Sequence, residues 1–502
     1  MVDITIDLDT RVKQAEQQLR WFKKQLFGEK SERRADLQPD PLQLNLGEQN
    51  EQAKAIDEAS TPVRGHARRK QVDSNDNDDS GLRFDDTVPI VRIDVPNPDL
   101  VGVADSDQIL ITERITHRLA QQPASYTIIE IVRQVIKRRD TGEITCPPSP
   151  ASVLEKSYAD VSLLAGMLVD KFRYHLPLYR QHQRMKAAGI TISRGSLTNW
   201  THSAIALLEP IYTAQQASVL ESGVLAMDET PIRAGRKSKG KMRTAYFWPM
   251  YGDRDEVVFP YAASRAHKHV EAFLGDFEGT LLTDGYGAYP AYAARREKVE
   301  HASCWTHTRR GFIKSEDLEP ERSQHALEYI GKLYEIEAEI KERKLEGKNK
   351  LEVRGDRSKL VVAEFFEWLE EELAASALLP TNPFTEAASY ARDRRAGLEV
   401  FLGNPDLPID TNHLERTLRP IPMGRKNWLF CWTELGAERV GQIQSLIATC
   451  VLHEIDPYVY LVDVLQRIEM HPQSRVGELT PRRWKDCFAD QPLKSAIDPR
   501  PG

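Results

Sequence analysis

The first 34 residues carry a narrow hydrophobic stripe surrounded by charged and amide side chains. Its apolar positions alternate in spacing between four and three residues, and they are Leu8, Val12, Ala15, Leu19, Phe22 and Leu26. This spacing is the a/d pattern of a coiled coil. We therefore predict a coiled-coil helix over residues 1–34 that joins copies of the chain through residues 8–26. An amphipathic helix packed on its own domain is the alternative, because the stripe is shorter than three heptads.

The next two stretches differ in their pattern. Residues 35–80 are rich in Gln, Asn, Asp and Pro and show no apolar periodicity, so they are predicted to form a disordered linker. Residues 81–155 contain β-branched runs at 88–95 and 126–139 that alternate with turn residues. These runs predict a small β-rich module over 81–155.

Helical periodicity marks residues 156–215. The predicted helical segments are 161–172, 178–188 and a third that starts near Ser193. A glycine stop at Gly189 and a serine N-cap at Ser193 separate the last two segments. Two helices around a glycine turn are compatible with a helix-turn-helix, whose recognition helix would contact DNA through Arg194 and Asn199. An ordinary three-helix packing unit explains the same pattern equally well.

Strand patterns dominate from residue 216 to about 305. The predicted strands are Val224–Met227, Thr244–Tyr251, Glu256–Tyr261, Thr280–Thr283 and Val299–Cys304. Helices are predicted near 266–273 and 289–296, between the later strands. Antiparallel strands followed by strand–helix alternation predict an α/β domain with a layered sheet over 216–430. Helical patterns return over 320–401, and a C-terminal helical region is predicted over 431–502.

Composition narrows the class of protein. The 502 residues have a formal net charge of −7, with 40% hydrophobic and 28% charged residues, which is enough apolar material for a sizeable core. No apolar run reaches the roughly 18 residues of a membrane span, and the acidic start MVDITIDLDT lacks a secretory signal pattern, so no membrane association is expected. Five scattered cysteines without a Cys-x-x-Cys pair indicate reduced thiols. The negative net charge requires any DNA binding to come from local basic patches.

Three acidic residues stand out by their position. Asp228 and Asp284 each follow directly on an apolar strand, and Glu415 lies near the predicted start of a helix. A carboxylate at the end of a buried strand is costly unless it is paired or binds a cation. Carboxylates from neighbouring strands would form an oxygen-only site suited to Mg²⁺ or Mn²⁺. Taken singly, each acid is explained as well by a solvated strand end.

Such a site suits phosphodiester chemistry, and basic residues cluster near the acids. Two divalent ions about 3.5–4 Å apart can activate a water or a 3′-hydroxyl and stabilise the leaving oxygen. The predicted DNA contacts near the acids are His307, Arg309, Arg310, Arg416, Arg419, Arg425 and Lys426. Solvated faces or surface ion pairs are the alternative explanation for these side chains.

Two neighbouring features are not expected to bind a metal. Glu229 follows Asp228, but strand alternation predicts that its side chain points to the opposite face. Cys304 and His307 have the residue types and spacing of half a zinc site, without a second pair nearby. Cys304 is therefore expected to end a buried strand, with His307 near the phosphates or capping the helix.

Six segments resemble motifs of one transposase family, in the family's order along the chain. They are LFGEKSE (26–32), HLPLYRQ (175–181), MDETP (227–231), TDGYGAY (283–289), CWTHTRR (304–310) and NHLERTLRPIPMGRKNWLF (412–430). The family is that of the insertion sequence 66 (IS66) transposases, which have a DDE-type catalytic domain. The resemblance spans residues from about 20 to 465.

The resemblance implies a fold and an activity. The fold would be an RNase H-like α/β core, a mixed sheet with flanking helices, with Asp228, Asp284 and Glu415 as a catalytic triad that binds two Mg²⁺ or Mn²⁺ ions. The helical stretch of about 320–380 would be an insertion in that core. The protein would act in the cytoplasm of a bacterium, at the nucleoid, cleaving DNA at terminal inverted repeats and joining it to target DNA. Small accessory proteins of the same element would be partners.

Two departures from the family pattern affect the expectations. The family's zinc-binding module of paired cysteines retains only Cys146 here, so we predict no zinc. The family's Asp-Asn-Asn before the glutamate reads Asp410-Thr411-Asn412. A catalytically silent relic or repressor that binds the element's ends is therefore the main alternative function. A hydrolase that uses paired carboxylates on sugars is a third, which the surrounding arginines disfavour.

Overall fold

The structure is a computed structural model. It describes residues 82–498, apart from 87, 102–103, 105–107, 123–124, 239–240, 376–377, 429–430 and 432. The predicted coiled-coil helix (1–34) and the predicted linker (35–80) lie outside the described residues. The described chain is a mixed α/β structure with sheets of two, three, four and five strands.

The β-rich part begins the described chain. Its strands are β1 (Arg83–Phe84), β2 (Ile90–Val95), β3 (Gln108–Gln122), β4 (Ser125–Arg138) and β5 (Ile144–Thr145). The long strands β3 and β4 form an antiparallel hairpin, and β2 lies parallel to β4 on its other side. The sequence pattern predicted β2 and β4 but missed β3. This edge strand mixes charged and apolar residues, because part of it faces solvent.

Four helices follow, three of which were predicted. They are α1 (Val161–Phe172), α2 (Leu178–Ala187), α3 (Arg194–Leu207) and α4 (Glu209–Leu220). Between α2 and α3, Gly189 takes a left-handed φ of 79°, and the Ser193 hydroxyl accepts a hydrogen bond from the Ser196 amide, as the glycine stop and N-cap predicted. The turn also contains strand β6 (Ile190–Thr191), which pairs with β1 and was not predicted.

The central sheet has five strands. The elements of this region are β7 (Val224–Met227), β8 (Thr230–Ser238), β9 (Lys241–Phe247), β10 (Met250–Gly252), β11 (Val257–Val258), β12 (Tyr261–Ala262), α5 (His267–Leu274), β13 (Gly279–Thr283), α6 (Ala288–Ala293) and β14 (Val299–Ser303). The order across the sheet is β11-β10-β7-β13-β14. Strands β11, β10 and β7 are antiparallel neighbours, whereas β13 runs parallel to both β7 and β14.

Three of these strands continue into a second sheet, and this corrects the predicted strand lengths. The second sheet has the order β12-β9-β8, so each of its strands extends one strand of the central sheet. The predicted strands Thr244–Tyr251 and Glu256–Tyr261 are each split in two, because the chain breaks its pairing at Trp248-Pro249 and at Phe259-Pro260. Proline lacks the amide proton that a continuous ladder needs. Strand β8 was not predicted.

A helical block separates β14 from Glu415. It comprises α7 (Trp305–Ser315), α8 (Pro320–Glu342), α9 (Gly347–Val353), α10 (Lys359–Ala375), α11 (Pro383–Arg392) and α12 (Arg395–Glu399). The buried ring of Trp305 packs edge-on against Phe365, at 5.7 Å between centroids, which joins α7 to α10. Helices over 320–380 agree with the predicted helical pattern.

The remaining helices follow this block along the chain. They are α13 (Asn412–Leu418), α14 (Pro420–Trp428), α15 (Glu434–Leu452), α16 (Pro457–Arg467) and α17 (Pro481–Phe488). Buried Gln215 on α4 donates to the Val257 carbonyl of β11 at 2.7 Å and to the Thr449 hydroxyl of α15 at 2.8 Å. These bonds fix α15 against the central sheet. Within the described residues, no helix has both the length and the apolar character to cross a membrane.

Candidate active site

Asp228 and Asp284 lie side by side at one edge of the central sheet. Asp228 follows β7 and Asp284 follows β13, and these two strands are parallel neighbours with Ala226 opposite Leu282. Because parallel strands end at the same sheet edge, the two residues that follow them are brought together. The Asp228 amide still bonds to the Pro249 carbonyl at 3.3 Å, which holds the acid within the strand break.

Glu229 belongs to the same cluster, which corrects the prediction that it points away. One carboxylate oxygen from each of Asp228, Glu229 and Asp284 lies within 4.8 Å of the others. Alternation between faces requires a continuous strand. Here β7 ends at Met227 and β8 begins only at Thr230, so the two acids in the break do not alternate.

The cluster is electrostatically strained without a cation. The pKa of Asp228 is raised to about 7, chiefly by burial and also by the charges of Asp284, Glu229 and Glu415, against a hydrogen bond from the Glu229 amide that lowers it. The Tyr286 amide orients Asp284 by donating to its Oδ1 at 2.9 Å. Three converging carboxylates are the donor set that Mg²⁺ and Mn²⁺ prefer. The residues present therefore fit a divalent cation.

Glu229 is held by a network that sequence reasoning missed. Its Oε1 accepts from Arg265 Nε at 2.5 Å, and its Oε2 accepts from the Tyr289 hydroxyl at 2.6 Å. Arg265 also lies over the ring of Tyr286, 4.2 Å from its centroid. Tyr289 is fully buried, and burial followed by the Glu229 charge raises its pKa well above the usual value. Both oxygens of Glu229 are thus engaged by the protein, unlike those of its neighbours.

Glu415 approaches the same edge from the first turn of α13. The segment before it is bonded to the end of β14, since the Trp305 amide donates to the Ile409 carbonyl at 3.0 Å and the Thr411 amide donates to Cys304 Sγ at 3.3 Å. The Glu415 carboxylate is clasped by the guanidinium of Arg310 through both of its oxygens. It is close enough to raise the pKa of Asp228, but it does not belong to the group of three carboxylates within 4.8 Å.

Cys304 and His307 have separate roles in this structure. Cys304 is buried directly after β14, as predicted, and its sulfur contacts the backbone and hydroxyl of Thr411. The His307 ring lies 3.9 Å from Glu415, and burial followed by the charge of Arg310 lowers its pKa. His307 therefore faces the acids instead of completing a cysteine site.

The predicted DNA contacts fall into two groups. Arg309, Arg416, Arg419 and Lys426 are exposed, on or beside α7, α13 and α14, and Arg425 lies on α14. Arg310, by contrast, is engaged by Glu415. Arg194 and Asn199 are exposed on α3, which packs on α1, α2 and α15. Helix α3 therefore carries these two residues, whereas the others lie on or beside α7, α13 and α14.

Comparison with protein families decides what kind of protein carries this site. A model described as the IS66 family transposase matches residues 156–439, a span that contains all four acids. The chain belongs to the IS66 transposase family. Two shorter models also match, the IS66 C-terminal element over residues 445–482 and a model described as transposase C of IS166 homeodomain over residues 14–75.

Similar chains occur in Sinorhizobium fredii (strain NBRC 101917 / NGR234). The uncharacterized protein y4hP is 29% identical to this transposase-family chain and covers 93% of it, over 88% of its own length. The uncharacterized protein y4jD is 31% identical and covers 68% of this chain, over 69% of its own length. A third, y4qI, is 29% identical over 79% of this chain and 75% of its own.

Replacement of Glu229 tests whether the network at this candidate site positions the acids. Glu229→Gln keeps the shape but removes the charge that Arg265 and Tyr289 bind. We expect DNA cleavage to slow by about 10–100-fold and the Mg²⁺ concentration for half-maximal rate to rise, as for groups that orient metal ligands. Rates measured across a Mg²⁺ titration check this. Glu271→Gln, which removes an exposed carboxylate paired with Arg295, is the matched control; equal rates for both variants would contradict the positioning role.

The raised pKa of Asp228 predicts a pH-dependent cation affinity. The folded metal-free protein holds a proton on Asp228 up to about pH 7, whereas an unfolded chain releases it near 4, so this group lowers stability as pH rises across that window. A cation must displace that proton. The apparent Mg²⁺ affinity should therefore rise about tenfold per pH unit below 7 and level off above it. Thermal melting against Mg²⁺ at pH 6 and pH 8 measures this, and equal Mg²⁺ midpoints would contradict it.

Proposed function

We propose that this chain is the DDE-type transposase of a bacterial insertion sequence. It binds the element's terminal inverted repeats and catalyses metal-dependent strand cleavage and strand transfer. One observation carries the proposal: Asp228 and Asp284 end adjacent parallel strands, and Glu415 is delivered to the same edge by bonds between α13's leading segment and the end of β14.

The sheet order supports an RNase H-like core. Numbered along the chain within the central sheet, the strands lie in the order 3-2-1-4-5, with strand 2 antiparallel to its neighbours and strands 1, 4 and 5 parallel. The first acid ends strand 1 and the second ends strand 4. The helices over about 320–380 are then proposed as the insertion in this core. Residues 1–34 are proposed as a coiled coil that joins copies of the chain.

The carboxylates would hold the cations and the basic residues would hold DNA. Asp228, Asp284 and Glu415 are the proposed ligands of two Mg²⁺ or Mn²⁺ ions, which would activate the attacking oxygen and stabilise the leaving oxygen. Glu229, fixed by Arg265 and Tyr289, supports Asp228 from the adjacent position. Arg310 holds Glu415 at the rim, so its guanidinium is also placed to meet a phosphate.

The remaining DNA contacts are assigned by their place on or beside α7, α13, α14 and α3. Arg309, Arg416, Arg419, Arg425 and Lys426 are proposed to bind phosphates around the catalytic edge, with Arg194 and Asn199 on α3 reaching bases. Phosphate contacts fix the register of the duplex, whereas base contacts on α3 would read the inverted repeat. Accessory proteins of the same element are proposed as further partners.

The experiment that tests this function is cleavage of a duplex that carries one end of the element. The expected result is a strand cut at the end of the inverted repeat in Mg²⁺ and none in EDTA. Binding without cutting, in Mg²⁺ and in Mn²⁺ alike, would favour the alternative, a catalytically silent relic or repressor. The changed Asp410-Thr411-Asn412 segment is the feature that keeps this alternative open.

A further inference from the structure

The hairpin of β8 and β9 carries a concentration of positive charge that no predicted contact uses. Residues 233–243 (RAGRKSKGKMR) contain six basic residues and no acidic one, in a chain whose net charge is −7. The side chains of Arg233, Arg236, Lys241 and Arg243 are exposed. We call residues 230–247 the basic arm. A local positive surface on an acidic protein indicates a polyanionic partner.

The basic arm begins at the catalytic edge. Strand β8 starts two residues after Asp228, on the far side of the break that separates it from β7. Arg233 is therefore five residues beyond Asp228, a distance of about 16 Å along an extended chain. That length corresponds to about five base pairs of duplex at 3.4 Å each. A duplex cut at the acids thus has its flank within reach of the arm.

A bulge in β8 places two arginines on one face of the arm. Arg233 lies opposite Thr244 and Arg236 lies opposite Met242, so two residues of β8 face one residue of β9 between these pairs. Gly235 allows this through a left-handed φ of 69°. In a regular strand, residues three apart point to opposite faces. Thr244 and Met242 are two apart on β9, so their partners Arg233 and Arg236 share a face.

Two arginines of the arm, Arg233 and Arg243, each contact a neighbouring side chain and remain exposed. Arg233 Nη1 donates to the Thr244 hydroxyl at 2.6 Å, which orients the guanidinium and leaves its charge. Arg233, Lys241 and Arg243 line a common groove of about 430 Å³. Arg243 also meets Glu434 at 3.3 Å, an exposed ion pair that a phosphate can displace at little cost.

Strand β8 of the arm is hydrogen-bonded to the segment that follows α14, a helix with predicted DNA contacts. The Cys431 amide donates to the Arg233 carbonyl at 2.9 Å, and the Gly235 amide donates to the Cys431 carbonyl at 3.2 Å. Cys431 follows closely on α14, which carries Lys426. The arm therefore stands at a fixed place beside the catalytic edge.

We propose that the basic arm binds the phosphate backbone of the DNA duplex that flanks the cleavage site. This inference rests on the proposed function and adds a contact surface to it. The contacts are to phosphates, so they are independent of sequence and position the duplex without reading it. Arginine guanidinium groups fit phosphate oxygens in a fork, and Lys241 adds a point charge.

The test measures DNA affinity against salt for the full chain in EDTA, with a 40-base-pair duplex of arbitrary sequence. The arm variant is Arg233→Gln, Arg236→Gln, Lys241→Gln. The plot of log affinity against log salt has a negative slope, and each lost phosphate contact reduces the magnitude of that slope by about 0.9. The expected decrease in magnitude for the arm variant is about 2 to 3. The charge-matched control removes three exposed lysines of the helical block, Lys341→Gln, Lys348→Gln and Lys359→Gln, and should keep the wild-type slope.

The outcomes test the arm's DNA contact separately from the proposed function. An unchanged slope for the arm variant, or an equal decrease for the control, overturns the arm's role while leaving the proposed function intact. A variant that loses self-association in sedimentation at unchanged DNA slope also overturns it, because the arm then binds a second copy of this acidic chain. If the wild type shows no salt-dependent binding at all, the proposed function falls as well. Lys241→Gln alone, with an expected decrease of about 0.9, guards against misfolding of the triple variant.

Discussion

Asp284→Asn is expected to reduce metal-dependent cleavage by at least about a thousandfold while leaving DNA binding unchanged. The substitution keeps the side chain's size and its acceptor for the Tyr286 amide but removes one charge from the cluster. Cation chemistry at such a site contributes several kcal/mol to the transition state, and about 1.4 kcal/mol is tenfold in rate. Single-turnover cleavage and a binding titration on the same duplex measure both properties.

A matched control for this variant lies on the same stretch of chain. Asp276→Asn removes an exposed carboxylate eight residues earlier, before β13, and should cleave within about twofold of the wild type. Cleavage by Asp284→Asn within tenfold of the wild type would contradict the assignment of Asp284 as a cation ligand. Loss of DNA binding in the same variant would indicate a structural role for the residue instead.

Arg354→Met is expected to lower the free energy of unfolding by about 3–5 kcal/mol. Arg354 is fully buried, forms a two-bond pair with Glu337 at 2.7 and 2.8 Å, and donates to the carbonyls of Phe401, Asn404 and Leu407. Removing one partner of a buried ion pair leaves the other charge uncompensated. The three carbonyls belong to the segment that leads into Ile409 and Glu415, so the variant should also slow cleavage.

Arg357→Met is the matched control for that substitution. Arg357 lies three residues further on, is about half exposed, and pairs with Glu339 at the surface. Exposed pairs contribute at most about 1 kcal/mol, so this variant should unfold close to the wild type. Denaturant unfolding of the two variants compares a buried pair with an exposed one in the same turn. Equal stabilities would show that Arg354 does not anchor the helical block.

The two aspartates could be found in the sequence because each follows an uninterrupted apolar strand. Val224–Met227 and Leu281–Thr283 are buried, and such short apolar runs are recognisable without knowing their neighbours. The helix boundaries around Gly189 and Ser193 were equally readable, since a left-handed glycine and an N-cap are local signals. These parts of the fold could therefore be predicted, because their signals lie in a few consecutive residues.

The place of Glu229 could not be predicted, because it depends on where a strand stops. Alternation was the correct rule for a continuous strand, but β7 ends one residue before Asp228. Pro249, which precedes the strand paired with β7, is a local signal that the pairing breaks here, but it does not say where the Glu229 side chain points. Arg265 and Tyr289 reach Glu229 from residues 36 and 60 positions away, and a single sequence carries no information on such contacts.

In the proposed function, Asp228 and Asp284 share a divalent cation. The most direct measurement is anomalous X-ray diffraction from crystals of the full chain soaked in Mn²⁺, at a concentration that supports cleavage. We expect an anomalous peak within coordination distance of carboxylate oxygens of both aspartates. Anomalous peaks elsewhere on the protein, with none between Asp228 and Asp284, would contradict it.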